Sequence, residues 1–82
     1  MKTNVSIKFN SIEEYREIER VLEGLGYNNN KDSNESELIK HKKGWVSIDD
    51  IPTNGRDVVS FDVFDFALDD KVYNSLQEFL KD

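Results

Sequence analysis

Residues 57–66 read DVVSFDVFDF, and the fold turns on how this run is taken. It is the densest apolar segment of the chain, rich in β-branched and aromatic residues, with Asn54-Gly55 before it and Asp69-Asp70 after it. Such a segment between turn-forming pairs marks a strand near the middle of a sheet. Alternation puts Val59, Phe61 and Val63 on one side, and Val58, Asp62, Phe64 and Phe66 on the other. Asp62 and Asp65 interrupt the run, which a strand buried on both faces would avoid, because an ionised carboxylate is costly to desolvate.

Upstream, residues 50–56 (DIPTNGR) read as a loop, with Pro52 confining the chain and Asn54-Gly55 supplying a turn. A short strand is expected from Trp45 to Asp49. It should be reached by a tight turn at Lys43-Gly44 from another strand at Glu37–His41. That hairpin would set His41 opposite Val46 and Ile39 opposite Ile48. Ile39, Val46 and Ile48 would face the core, while Leu38, Lys40, Lys42 and Trp45 would face away. Before it, residues 28–36 (NNNKDSNES) hold no apolar side chain and read as a flexible polar loop.

The amino-terminal third is the plainest. Val5, Ile7 and Phe9 alternate with Ser6 and Lys8, the pattern of a half-buried strand. Ser11-Ile12-Glu13-Glu14 has the form of a capping box. Ile12, Tyr15, Ile18, Val21, Leu22 and Leu25 then recur at helical spacing, and Gly26 stands where a left-handed C-terminal cap belongs. Downstream of the central run, Asp69 or Asp70 is expected to cap a final helix. Its stripe would be Val72, Leu76, Phe79 and Leu80, with Tyr73 at the margin.

These elements give one α+β domain over residues 1–82, in the order β-α-β-β-β-α. The expected architecture is a mostly antiparallel four-stranded sheet with both helices on one face. At 82 residues there is room for a single core, and 37% hydrophobic with 34% charged residues is a globular balance. With no cysteine, a disulfide framework and a thiolate zinc site are excluded. No apolar run reaches the roughly 18 residues of a membrane span, and the first residues alternate where a signal peptide is continuously apolar. A cytoplasmic location in a bacterial or host cell is the expectation.

The net charge of −6 is unevenly placed. Residues 1–48 hold eight acids and eight bases, whereas residues 49–82 hold nine acids against Arg56, Lys71 and Lys81. An acidic half repels phosphate and attracts basic surfaces. Acids two apart on a strand stand about 6.6–7 Å from each other, near the phosphate repeat of one extended nucleic-acid strand, so mimicry of DNA enters the reading. The competing reading is a solvated surface that keeps the protein soluble.

Chemical sites are sparse. The carboxylates match no calcium loop with its central glycine and terminal glutamate, and no metal or other cofactor is expected. Lys40-His41-Lys42-Lys43-Gly44-Trp45 sets positive charge beside an aromatic ring, but on a chain of net −6 it reads as an edge-protecting hairpin tip. No nucleophile motif or phosphate-cradling glycine loop is present, and Asp62 and Asp65, three apart on a strand, point to opposite faces. The expectation is a non-catalytic chain.

What remains is an aromatic sheet face ringed by charge, the make-up of an interface core. Trp45, Phe64 and Phe66 are the candidate anchors; Asp49, Asp50, Asp62, Asp65, Asp69 and Asp70 would steer a partner with a basic, nucleic-acid-binding type of site. The overall style resembles that of small acidic inhibitors, among them phage anti-defence and toxin-immunity proteins. That resemblance implies a protein partner; the acidic balance and the lack of a long apolar run add the expectation of no direct contact with nucleic acid or membrane. The alternative is a homodimeric structural or regulatory module pairing through the same face, unless a bulge or a covering loop hides the rings.

Overall fold

A computed structural model describes residues 2–29, 43–53 and 56–82. The elements are β1 (Val5–Phe9), α1 (Ile12–Gly24), β2 (Asn28–Asn29), β3 (Gly44–Thr53), β4 (Arg56–Phe64), β5 (Lys71–Tyr73) and α2 (Leu76–Lys81). The α+β class and the pair of helices agree with the sequence. The sheet does not. It has five strands in the order β2-β4-β3-β1-β5, and it is mixed rather than mostly antiparallel. β3 runs against β1 and β4, while β5 lies parallel to β1 and β2 parallel to β4.

The largest local difference is the hairpin. Residues 50–53 continue β3 instead of forming a loop, and pairing with β4 runs unbroken from Trp45↔Phe64 to Thr53↔Arg56. Pro52 is accommodated within this ladder opposite Asp57. The Asn54-Gly55 turn pair lies outside the described residues. So do residues 30–36 of the expected polar loop and the expected strand Glu37–His41; Asn28 and Asn29 form β2. The pairing predicted for that strand is taken by others. Val46 sits between Ile7 and Val63, and Ile48 between Val5 and Phe61.

Gly44 opens β3 instead of serving a turn. A Cβ there would lie 2.8 Å from the Phe64 carbonyl oxygen and 3.0 Å from the Phe9 ring, so the strand needs a residue without one.

Both helices cover one sheet face. Tyr15, Ile18 and Leu22 from α1 and Leu76 and Phe79 from α2 join Val5, Ile7, Phe9, Val46, Ile48, Phe61, Val63 and Tyr73 in a single core. Leu25, expected in the α1 stripe, is exposed beyond the last helical turn. The turn there is a Schellman motif: Gly26 at φ 98° donates to Glu23, and Tyr27 donates to Leu22. Tyr27 thereby folds back into the core, its hydroxyl donating to the Lys2 carbonyl at 2.9 Å.

Each helix starts on the same device. Ser11 Oγ accepts the Glu14 N–H at 3.1 Å, and the Glu14 carboxylate accepts the Asn10 N–H at 2.8 Å. Ser75 Oγ accepts the Glu78 N–H at 3.2 Å, and the Glu78 carboxylate accepts the Asn74 N–H at 2.6 Å. The final helix is thus capped by Ser75, not by Asp69 or Asp70, and is shorter than the sequence suggested. Val72 belongs to β5 and, like Leu80, is exposed rather than part of a buried stripe. Among the described residues, no helix is long and apolar enough to cross a membrane.

Candidate protein-binding face

The helix-free face is built by alternation. Residues whose neighbours fill the core point away from it: Ser6 and Lys8 on β1, Trp45, Ser47 and Asp49 on β3, Ser60, Asp62 and Phe64 on β4, and Val72 on β5. Registration aligns them in rows across the sheet. Lys8, Trp45 and Phe64 form one row, and Ser6, Ser47 and Asp62 the next.

This face is not bare, as the sequence reading had it. β4 is second in the sheet and β5 is at the far edge, three strand spacings away, a gap of about 14 Å. Residues 65–70 bridge that gap by crossing the face opposite the helices. Asp69 marks the crossing: its backbone N–H donates to Ser6 Oγ at 3.3 Å, and its carboxylate accepts from the same hydroxyl at 3.2 Å. Ser6 and Ser47, paired at 2.8 Å, are therefore 0% and 1% exposed although they lie on the polar side of their strands.

The crossover brings apolar groups of its own. Phe66 is not the end of β4 but part of the crossing, where its ring packs against Phe64 with centroids 5.7 Å apart. Phe66 is nevertheless 53% exposed, Leu68 46% and Val72 42%. Trp45 and Phe64 are half-buried neighbours beside them, and the Lys8 ammonium lies 5.9 Å from the Trp45 ring. An aromatic cluster thus stands at one end of the face, continued along the crossover by Leu68 and at the edge by Val72.

The carboxylates are less uniform than their spacing suggested. Asp49 and Asp62 lie on this face, half-buried; the Asp62 carboxylate accepts the Val63 N–H at 2.8 Å. Asp65, Asp69 and Asp70 sit on the crossover, with Asp65 and Asp70 exposed. Asp50 alternates to the helix side of β3 and is exposed there. Asp49 lies close enough to Asp69 of the crossover for the neighbouring carboxyl to act on it. Burial, the hydrogen bond to Asp69 and its charge together raise the Asp49 carboxyl to about 6.

Of the residues singled out from sequence, the structure gathers Trp45, Asp49, Asp62, Phe64, Phe66 and Asp69 on one side of the sheet. Leu38, Lys40 and Lys42 lie outside the described residues. Sequence reasoning missed Ser6, Ser47, Leu68 and Val72. The serines carried a signal, since Ser6 and Ser47 occupy matching alternate positions on two strands. Leu68 and Val72 carried none until the crossover was known. Among the described residues, no group of three or more histidines or acids is arranged to hold a metal ion. No family model, curated protein or solved structure matches the chain.

Proposed function

We propose that this protein is a small acidic binding module, without catalysis of its own, that inhibits or regulates a protein partner through that partner's basic site. The observation that carries the reading is the aromatic cluster of half-buried Trp45 and Phe64 with exposed Phe66, flanked by Asp62 and Asp65. Aromatic anchors supply most of the affinity at such contacts, and surrounding charge steers the encounter. The partner chemistry follows from complementarity: the acidic excess lies in residues 49–82, which supply the crossover and much of this face. Pairing with a second copy through the same face ranks below this, since it would set like charges against each other. The mode of action is that of the small inhibitors this chain resembles, phage anti-defence and immunity proteins, with the acids competing for a surface that normally meets phosphate.

The test is retrieval of partners from a bacterial lysate by the wild type, by Asp62→Lys/Asp65→Lys and by Phe66→Ser, at salt of roughly 0.05 M and roughly 0.3 M. A basic protein retained by the wild type at low salt, weakened at high salt and lost from both variants is the expected result. Equal retention by all three proteins, or a self-associated dimer in sedimentation with no basic partner, overturns the reading.

A further inference from the structure

Four aromatic rings of this protein carry a cation of its own chain. Lys2 lies over Phe79 at 4.5 Å, Lys8 over Trp45 at 5.9 Å, Arg16 over Tyr15 at 5.4 Å and Lys71 over Tyr73 at 5.4 Å. A positive charge within about 6 Å of a ring centroid is drawn to the negative face of the π-system. The Phe64–Phe66 pair differs. Its rings stand 5.7 Å apart at 52° to each other, and Phe66 is 53% exposed. Among the described residues no lysine or arginine lies over either ring. Lys43, two residues before Trp45, is exposed and belongs to neither.

The chain around this pair is acidic. Asp65, exposed, stands between the two rings in sequence, and residues 57–70 hold five aspartates with no lysine or arginine. Registration sets Lys8, Trp45 and Phe64 in one row across three neighbouring strands, and Phe66 extends that row onto the crossover. One end of the row thus has a cation from the chain itself. The other has an open ring and a carboxylate.

Such an end fits a guanidinium. It is planar and stacks flat on a ring, while its fork of N–H donors still reaches a carboxylate beside it. A lysine ammonium is a point charge held more tightly by water, and it gains less from the same surface. We propose that the Phe64–Phe66 pair with Asp65 is a docking point for an arginine side chain, stacked on the exposed ring and paired with the carboxylate. This rests on the function proposed above and names the residue of the partner's basic site that the cluster takes.

The test uses two capped peptides of equal charge, one alternating glycine with arginine and the other glycine with lysine, at salt of roughly 0.05 M. Binding is followed by the NMR ring resonances of Phe64 and Phe66 and by the fluorescence of Trp45, the chain's one tryptophan. The arginine peptide should move both phenylalanine rings and bind roughly two- to fivefold more tightly than the lysine peptide. Phe66→Leu keeps apolar bulk without a π face and should erase that preference. Asp65→Asn should weaken both peptides, the arginine one more. Both substitutions fall on exposed side chains, so the fold should be kept. Asp70→Asn removes the same charge from another exposed position of the crossover and should leave the preference intact. Equal affinity for the two peptides, phenylalanine rings that do not move, or a preference that survives Phe66→Leu overturns the proposal. A basic partner retained by a protein that does not tell arginine from lysine would remove the arginine docking point and leave the proposed function standing. An arginine preference without any basic partner would do the reverse.

Discussion

The two faces of this sheet are closed by different chemistry. The helix side is covered by α1 and α2 and buries a core of aliphatic and aromatic side chains. The other side is crossed by a six-residue strap and buries Ser6, Ser47 and Ser60, with the Asp69 carboxylate bonded to Ser6. Apolar contact is non-directional and survives changes of pH and small shifts of position. Hydrogen bonds to a carboxylate do not. The difference teaches that the fold's stability and its adjustability reside on opposite sides of the same strands.

Ile7, wholly buried at the centre of β1, tests the first half of that statement. Ile7→Ala should cost about 2–5 kcal/mol in chemical denaturation, through lost burial and the cavity left behind. A loss well below that would mean the helix side is not where the stability lies. Gly44→Ala probes the point where β3 presses on Phe9 and the Phe64 carbonyl. The intruding methyl should cost about 1–3 kcal/mol, since an overpacked strand must shift to admit it.

Ser6→Ala turns to the strap. It leaves Ser47 and the Asp69 N–H without their shared partner and should cost about 1–2 kcal/mol, seen as faster amide exchange at residues 65–70 before global unfolding. Exchange that accelerates only with global unfolding would show that the strap is not a separate unit. Phe66→Ser, at an exposed ring, should change stability by no more than about 0.5 kcal/mol while abolishing partner retention. If it unfolds the protein instead, the ring belongs to the core and not to a docking surface.

Much of this was written in the chain, unevenly. The first 27 residues could be read because every signal there is local: alternation in β1, the Ser11–Glu14 box and the Gly26 cap all act within a few residues. The second capping box, Ser75 to Glu78, is the same chemistry in the same form. In the sequence Asp69-Asp70 offers an earlier cap and Val72 fits a helical stripe; the pairing of β5 with β1 overrides both. Asp50-Ile51-Pro52 looked like a loop because Pro is rare inside strands, yet a ten-residue strand accommodates it. The membership of Trp45 and Phe64 in one face follows from period-two alternation and was legible. That a strap crosses the face was not, since strand order is set by contacts distant in sequence.

β5 contributes three residues to the sheet, and it alone lies along one side of β1. Val5 meets Lys71 across 66 positions of chain, so this contact has a high loop-closure cost and should be among the last to form and the first to open. While it is open, the row of free amide and carbonyl groups on β1, backed by Val5, Ile7 and Phe9, is a template on which another molecule can add a strand. The short carboxy-terminal strand thus acts as a guard against aggregation, and shortening the chain ahead of Lys71 should make the protein prone to form fibres.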